Sequence, residues 1–425
     1  MIRIIEASAA AQSEMVTRDI KLETGVEQTV AGIIEEIRQG GDEALLAYTE
    51  KFDKVRPASL IVGAEEIDAA YAAQDPAYID TLTAAAANIR AFHQMQAREG
   101  FRLEKEDGVV LGQKVTPIER AGLYVPGGTA AYPSSVLMNA IPAKIAGVRE
   151  LVMTTPPAKD GHVPAFILAA AKVAGVDKVV QAGGAQAIAA LAYGTQSVPK
   201  VDKIVGPGNI YVATAKRMLF GVVDIDMIAG PSEILVIADR TGDPALIAAD
   251  LLSQAEHDKL ASAILVTDSR ALASEVQQAL EEQLPALPRQ QIARASIDAN
   301  GRILIVSDIG EAVSLANEIA PEHLELYLDQ PFDWLDQIQN AGSVFLGKYT
   351  PEAVGDYFAG PNHTLPTSGT ARFSSPLSVD DFVKKTQFIS YTKEALDKAK
   401  EDVARFAYKE GLDAHAQSVL KRFER

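Results

Sequence analysis

Four of the six histidines occur in short polar segments of the second half of the chain, each within a few positions of a carboxylate or an amide. These segments are residues 253–257, 320–323, 355–363 and 410–415. Imidazole nitrogens and carboxylate or amide oxygens bind divalent metal ions, and imidazoles also move protons near neutral pH. Because the chain has no cysteine, the pattern predicts a metal site of nitrogen and oxygen ligands with acid–base groups beside it.

The first segment places an amide and an imidazole three residues apart. Gln254 and His257 end a predicted helix that begins near Pro244, and this spacing puts both side chains on one helical face, where they could share a metal ion. Asp250 lies on the same face four residues earlier and is an alternative ligand. A solvated helix end is the other interpretation of such a pair, and the accompanying histidine segments weaken it.

The second segment joins a carboxylate directly to an imidazole. Glu322 and His323 follow a predicted helix that Pro321 cannot continue, so we expect them in a loop near a sheet edge. There they could act as a base and its electrostatic partner. From these two residues alone, an exposed polar turn is equally open.

The remaining two segments differ in character. Asp356 and His363 flank a stretch rich in turn formers that also contains two aromatic residues, which is typical of a functional loop. His415 lies in a predicted helical tail with Glu410 five positions earlier. Taken alone, His415 would be interpreted as a surface histidine.

Glycine-rich turns punctuate the first half of the chain, at residues 125–129, 181–186 and 205–209. Each follows a predicted strand and leads into a predicted helix, where free backbone N–H groups can approach a phosphate. None fits the G-x-G-x-x-G pattern, since Tyr211 stands where its last glycine should be. A nucleotide and a purely structural role for the turns both remain open. Ser232, in the connection at residues 229–233, is either a substrate contact or part of a hinge.

Alternating β-branched runs and helices predict the scaffold that positions these groups. Predicted strands fall at residues 122–125, 150–154, 178–181 and 203–205, and a second set at 233–238, 263–267, 302–306 and 343–346. Repeated βα units imply parallel sheets. We therefore predict an α/β fold of two incomplete Rossmann-like parallel-sheet modules, with a helical N-terminal region and a small helical C-terminal tail. The tail is expected to contain helices at residues 380–386, 393–408 and 412–425, without a strand.

Composition narrows the class of partners. The chain has 57 acidic against 40 basic residues, a net charge of −17, which argues against nucleic acid or an anionic membrane as a partner. No apolar stretch reaches the length of about 18 residues that spans a bilayer, and Glu6 interrupts the apolar N-terminus. We expect a cytoplasmic protein. The absence of cysteine excludes a thiol nucleophile.

Taken together, these segments resemble the histidinol dehydrogenase family. The resemblance covers nearly the whole chain, including residues 44–53, 124–129, 183–194, 205–209 and 229–233 as well as the histidine segments. It implies oxidation of L-histidinol to L-histidine in two NAD-dependent steps through histidinaldehyde, by a zinc-dependent homodimer. It also implies an N-terminal arm at 1–20, a larger domain at 21–123 with 232–376, an NAD-side domain at 124–231 and a partner-docking tail at 377–425.

The resemblance carries residue roles onto matching positions. One zinc ion per subunit would be held by Gln254, His257, Asp356 and His415, with the His415 tail supplied by the partner subunit. The zinc ligands would also contact the substrate, as would Ser232, His323, His363 and Glu410. Glu322 and His323 match the catalytic acid–base pair, and Tyr124, Gln186 and Asn209 match NAD contacts. Asp250 has no role in the family.

Two other functions remain open at this stage. A zinc hydrolase would use Glu322 to activate a metal-bound water and would bind no nucleotide. A two-lobed small-molecule binding protein would need only the cleft, and its histidines would be incidental.

Overall fold

The structure, a computed structural model, describes residues 1–7, 24–127 and 132–424. The chain forms two compact units, Met1–Gln96 with Ile118–Phe382, and Ala97–Pro117 with Val383–Arg425. Part of the predicted N-terminal arm and part of the turn at 125–129 lie outside the described residues. None of the described helices has the length and apolar character needed to cross a membrane.

The bounds of the regular elements are as follows. The strands are β1 Arg3–Glu6, β2 Phe101–Glu104, β3 Val110–Pro117, β4 Arg120–Tyr124, β5 Glu150–Thr155, β6 Lys178–Gln181, β7 Lys203–Val205, β8 Asp224–Ile225, β9 Glu233–Ala238, β10 Ser262–Thr267, β11 Arg302–Ile305, β12 His323–Tyr327, β13 Ser343–Leu346 and β14 Val383–Ser390. The α-helices are α1 Thr24–Asp53, α2 Ala64–Ala72, α3 Pro76–Gln94, α4 Pro133–Ala146, α5 Ala165–Ala174, α6 Gly184–Tyr193, α7 Ile210–Leu219, α8 Pro244–Ala255, α9 Arg270–Gln283, α10 Gln290–Asn300, α11 Ile309–Ile319, α12 Phe332–Leu335, α13 Glu352–Val354, α14 Lys393–Lys409 and α15 Asp413–Leu420.

The first unit contains a five-stranded parallel sheet with the order β6-β5-β4-β7-β8. Successive residues of β5 alternate between its two faces, Leu151 and Met153 on one side and Val152 on the other. Helices α3, α4 and α5 cover the first face, and α1, α6 and α7 cover the second. Burial on both faces explains why the strands are almost wholly aliphatic.

The first unit also contains a six-stranded parallel sheet with the order β1-β11-β10-β9-β12-β13. Helices α8, α9 and α10 cover one face, and α11 with the segment around α12 covers the other. The predicted α/β class with two parallel-sheet modules is confirmed. The division into an arm, two domains and a tail stays a prediction, and the described helices of the N-terminal region pack beside the five-stranded sheet.

The second unit corrects the prediction of a tail without strands. Residues 380–386 are not a helix, because a 3-10 turn at Val379–Phe382 leads directly into β14. This strand pairs antiparallel with all eight residues of β3, which pairs in turn with β2. The partner strand lies more than 250 positions earlier in the chain, so local periodicity carried no signal for it. Helices α14 and α15 follow, close to their predicted bounds.

Candidate active site

The sequence-predicted acid–base pair lies at the amino ends of two neighbouring strands of the six-stranded sheet. His323 is the first residue of β12 and is paired with Ile234 of β9, so the expectation of a loop was wrong for His323. Ala320 adopts a left-handed conformation with φ of 51° and ends α11, and the chain enters the strand within three residues. Both Glu322 and His323 are buried, which excludes the exposed polar turn.

The hydrogen bonds of His323 define its tautomer. Nδ1 lies 2.8 Å from the backbone carbonyl oxygen of Glu233. A carbonyl can only accept, so Nδ1 carries the proton and Nε2 presents a lone pair. Nε2 is buried and has no hydrogen-bond partner among the described residues. Burial lowers the pKa of His323, with the Glu352 carboxyl acting in the opposite direction, so the neutral imidazole is favoured.

Glu322 is anchored against the neighbouring strand. Its Oε2 accepts a hydrogen bond of 2.9 Å from the backbone N–H of Glu233 and lies 3.7 Å from Nδ1 of His323. Burial raises the pKa of Glu322 well above its usual range, and this hydrogen bond opposes the rise only in part. A carboxyl group with a raised pKa is a stronger base than an ordinary carboxylate and can take part in proton transfer.

The end of α8 brings Gln254 and His257 to the same place. The helix begins at an Asp243 cap and runs back to the amino edge of the sheet, as the helix of a βα unit must. Gln254 is only 1% exposed, yet neither its Oε1 nor its Nε2 has a partner among the described side chains and backbone. A buried amide that is satisfied on neither atom needs an explanation.

His257 follows the last turn of α8 and borders open space. A cavity of about 220 Å³ lies beside it, also lined by Tyr132, Glu256 and Tyr357. Electrostatic effects of His257 reach both His323 and Glu352, which places the imidazole with this group.

Asp356 lies in a π turn after β13. The sequence analysis missed a second carboxylate nearby, that of Glu352. One ligand atom each from His323, Glu352 and Asp356 all lie within 4.8 Å of one another, a spacing that suits a bound metal ion. Glu352 and Asp356 also share a hydrogen bond between their carboxyl groups. Glu352 stands four residues before Asp356, so the one-turn spacing was an available signal.

Burial has opposite effects on the acids and on the remaining histidine. It raises the pKa of Glu352 to about 7 and that of Asp356 to about 6. It lowers the pKa of His363 to about 4. Nδ1 of His363 lies 3.1 Å from the Asp356 carbonyl oxygen and Nε2 lies 3.1 Å from Oγ of Ser135, so Ser135 donates to an unprotonated Nε2. Nothing in the sequence pointed to Ser135.

Asp250 faces another partner. Its carboxyl group hydrogen-bonds to Glu325 of β12, and burial raises its pKa to about 6. The backbone N–H of Glu352 donates to the Glu325 carboxyl group over 2.8 Å. The pair of Asp250 and Glu325 therefore lies next to the cluster of His323, Glu352 and Asp356.

Ser232 directly precedes β9 and is half-buried, at the same sheet edge as Glu322. Glu410 and His415 belong to the second unit, where Glu410 ends α14 and His415 lies on α15. Both side chains are exposed in the isolated chain. The structure thus places the candidate catalytic and metal-binding residues of the first unit near the amino edge of the six-stranded sheet, while the position of His415 relative to them stays a prediction.

The three candidate nucleotide contacts follow the carboxyl ends of strands in the five-stranded sheet. The Tyr124 hydroxyl accepts a 3.0 Å hydrogen bond from the backbone N–H of Gly184, against which the side chain of Gln186 folds. Asn209 caps α7 by accepting from two backbone N–H groups of its first turn. The helices after β4 and β7 cover opposite faces, so a crevice opens between these strand ends where parallel α/β sheets bind ligands.

A divalent metal ion fits the first of these sites. The orphaned atoms are Gln254 Oε1 and Nε2, His323 Nε2 and Glu352 Oε1. Several buried carboxyl groups whose pKa values are raised by burial and by one another surround them. A cation would satisfy the unpaired amide of Gln254 and the clustered negative charge, and Nε2 of His323 would stay available as a base.

Comparisons with known proteins agree closely along the chain. A sequence profile of the histidinol dehydrogenase family matches residues 16–423. The histidinol dehydrogenase of Listeria monocytogenes serotype 4b is 57% identical over 412 residues, covering 96% of each chain. That of Clostridium acetobutylicum is 53% identical and covers 100% of this chain and 99% of its own. The crystal structure of histidinol dehydrogenase from Elizabethkingia anophelis superposes with a TM-score of 0.94 at 38% identity, over 99% and 98% of the two chains.

The fold and the candidate site suit an oxidoreductase, with a buried acid–base pair and metal-type ligands at one parallel sheet and strand ends of the kind that bind ligands at the other. The family profile and the high-identity relatives then specify which one. The chain belongs to the histidinol dehydrogenase family, NAD-dependent oxidoreductases that act on histidinol in histidine biosynthesis. The resemblance seen in the sequence is confirmed.

Proposed function

We propose that the protein oxidises L-histidinol to L-histidine through a bound histidinaldehyde, using two NAD molecules and one zinc ion per subunit. The observation that carries this proposal is the buried Nε2 lone pair of His323, which faces Glu352 and Asp356 and has no partner among the described residues. Family membership supports the overall reaction, and the geometry supports the residue roles.

Gln254, His257 and Asp356 would hold the zinc ion within one subunit, and His415 of the second unit would complete its ligands. When bound, zinc supplies a Lewis acid that fixes the amine and imidazole of the substrate. The Glu352 carboxyl group hydrogen-bonds to the carboxyl group of Asp356 and so orients this proposed zinc ligand.

His323 serves as the base in the first oxidation. Its Nδ1 keeps its proton and donates it in a hydrogen bond to the Glu233 carbonyl, so Nε2 is free to accept the hydroxyl proton of histidinol while hydride leaves for NAD. The lowered pKa keeps the imidazole unprotonated at neutral pH. Proton and hydride together account for the two electrons lost by the alcohol.

Glu322 serves in the second oxidation. Its carboxylate removes a proton from the water that adds to the aldehyde, and the raised pKa makes it a stronger base than an ordinary carboxylate. Once His323 has released its first proton to solvent, the resulting gem-diol gives a second hydride to a second NAD and His323 again accepts a proton. Because the chain has no cysteine, no thioester is formed.

The nucleotide lies in the crevice at the carboxyl ends of β4 and β7, in contact with Tyr124, Gln186 and Asn209. Ser232, His363 and Glu410 contact the substrate. Nδ1 of His363 donates its proton in a hydrogen bond to the Asp356 carbonyl, so Nε2 accepts a hydrogen bond from Ser135 or from a substrate donor.

The protein is proposed to act as a homodimer in which the tail of each subunit completes the site of the other. The second unit supports this, because it leaves large apolar side chains exposed, including Phe101 at 61%, Ile389 at 72% and Phe406 at 75%. We also propose a cytoplasmic location, in keeping with a biosynthetic role.

Counting product tests the reaction. Purified enzyme, limiting histidinol and excess NAD should form two NADH per histidinol consumed, measured by absorbance. One NADH per histidinol would contradict the second oxidation. A zinc hydrolase would form no NADH, and a binding protein would show no turnover; family membership already disfavours both.

Mixing subunits tests the shared site. A His415→Ala chain and a Glu322→Gln/His323→Asn chain should each be inactive as homodimers. Random exchange makes about half of the dimers mixed, each with one complete site, so activity should return to about a quarter of the parent value. Verified mixed dimers without activity would refute the contribution of His415 across the dimer.

A further inference from the structure

A buried ion pair lies beneath the glycine turn that follows β7. Lys216, on α7, pairs with Asp226, which follows β8, and the two side chains are 2% and 1% exposed. Removing two charges from water is unfavourable, and a buried pair is weak evidence for stability in itself. The groups that the pair contacts are therefore more informative than its contribution to stability.

Both members of the pair bind the backbone of the same residue, Gly206. Nζ of Lys216 donates to the carbonyl oxygen of Gly206 over 2.9 Å. The backbone N–H of Gly206 donates to Oδ2 of Asp226 over 2.7 Å, and the N–H of Met227 donates to Oδ1 over 2.6 Å. The polar groups of Gly206 are thus held from both sides by charged partners, which form stronger hydrogen bonds than neutral ones.

Gly206 occupies a position where a small displacement of the backbone matters. Its φ is 113°, and a Cβ atom built there would lie 2.1 Å from the carbonyl oxygen of Tyr124 and 3.1 Å from Nδ2 of Asn139. Three residues later, Asn209 caps α7. The conformation at Gly206 therefore sets how Asn209 is placed relative to Tyr124 across the crevice.

We propose that Lys216 and Asp226 are positioning residues for the dinucleotide, acting through Gly206 on the turn that ends at Asn209. This inference rests on the proposed function, since it takes that turn as part of the NAD site. Neither side chain touches the nucleotide. They hold in place the backbone segment that contacts the nucleotide. Their loss therefore lowers nucleotide affinity and leaves the acid–base chemistry at His323 unchanged.

The test compares Lys216→Met, Asp226→Asn and the neutral double variant with the parent enzyme. The double variant guards against misfolding, because it leaves neither charge buried alone. The matched control is Lys144→Met, which removes a half-exposed ion pair with Asp177, 2.7 Å apart, on the same five-stranded module. The readouts are the NAD dissociation constant of the substrate-free enzyme by titration calorimetry, the KM for each substrate, kcat and zinc content.

We expect the NAD dissociation constant and the KM for NAD to rise about tenfold or more, since displacements of about 1 Å can cost up to 10²-fold. The KM for histidinol, kcat and zinc content should stay within about threefold of the parent, and Lys216→Arg should recover part of the affinity. An unchanged NAD dissociation constant in folded Asp226→Asn and double variants would overturn the proposal. So would a fall in kcat with unchanged nucleotide affinity.

Asn209→Ser separates this inference from the assignment of the turn itself, because serine still caps the helix. Weaker NAD binding in Asn209→Ser with no effect of the Lys216 variants would reject positioning by the ion pair alone. Unchanged NAD binding in Asn209→Ser would reject the turn as the nucleotide site, and this inference with it.

Discussion

Replacing His323 by asparagine isolates the chemistry of one nitrogen atom. The asparagine amide nitrogen can take the place of Nδ1 and still donate to the Glu233 carbonyl, which now accepts over 2.8 Å. The lone pair at Nε2 is lost. Because Nε2 has no partner among the described residues, its removal breaks no hydrogen bond within the described chain.

The expected size of the effect follows from the role of a general base. Positioned proton transfer contributes about 10²–10⁴-fold to rate, equivalent to about 3–5 kcal/mol of barrier at 1.36 kcal/mol per factor of ten. We expect kcat to fall by that factor for both histidinol and histidinaldehyde, since in the proposed mechanism His323 accepts a proton in each oxidation. Folding and metal content should change little, because Gln254, His257 and Asp356 are untouched.

The assay is NADH formation under saturating substrate, with each half-reaction started separately and zinc measured in the same sample. His162→Asn is the matched control, since His162 is 68% exposed and bonds only weakly to Glu66 over 3.2 Å. A His323→Asn enzyme whose kcat is within about threefold of the control would refute the base assignment. A loss of zinc equal to the loss of activity would show that the residue holds the metal instead.

Three further predictions concern the acids around the site. Glu322→Gln should slow oxidation of supplied histidinaldehyde at least about tenfold more than it slows the alcohol step, by single-turnover NADH formation; equal slowing would contradict its role with water. Glu352→Gln should weaken zinc binding about 10–100-fold in chelator competition, and unchanged affinity would separate it from the metal site. The raised pKa of Asp250, about 6, makes its ionisation unfavourable in the folded state, so stability is lost as pH rises from about 4 through 6. Asp250→Asn should therefore add about 1–3 kcal/mol to the free energy of unfolding at pH 8 and little at pH 4, and an equal gain at both values would contradict this.

Local patterns predicted much of the fold. Aliphatic runs alternating with helices revealed both parallel sheets, because strands buried on two faces have an unmistakable composition. The strand β14 was missed because it pairs with β3, far away in the chain. Its own sequence, with two adjacent lysines and two adjacent apolar residues, lacks the strict alternation that marks a half-buried strand.

The candidate site shows the same division between local and distant information. The three-residue spacing of Gln254 and His257 predicted that they lie close together, and both are at or just beyond the end of α8, while their role as ligands stays a prediction. Glu352 was missed although it stands one turn before Asp356. Ser135 could not have been found, because its contact with His363 joins residues 228 positions apart.

The candidate sites lie at opposite edges of the two sheets, and under the proposed function this arrangement allows one bound substrate to undergo two hydride transfers. Candidate nucleotide contacts follow the carboxyl ends of β4, β6 and β7, as is usual in parallel sheets. The acid–base pair lies instead at the amino ends of β9 and β12. Helix α4, which follows β4, bridges these edges: Ser135 contacts His363, and the carbonyl of Met138 accepts a 2.7 Å hydrogen bond from Asn362. The segment carrying His363 is thereby held against the helix that leaves the nucleotide crevice.

A bound aldehyde can then remain at the amino edge while NADH is exchanged for NAD at the carboxyl edge, which predicts that NADH leaves without release of histidinaldehyde. Adding an aldehyde-trapping amine during turnover should leave the yield at two NADH per histidinol, and a yield near one would show that the aldehyde escapes between the steps.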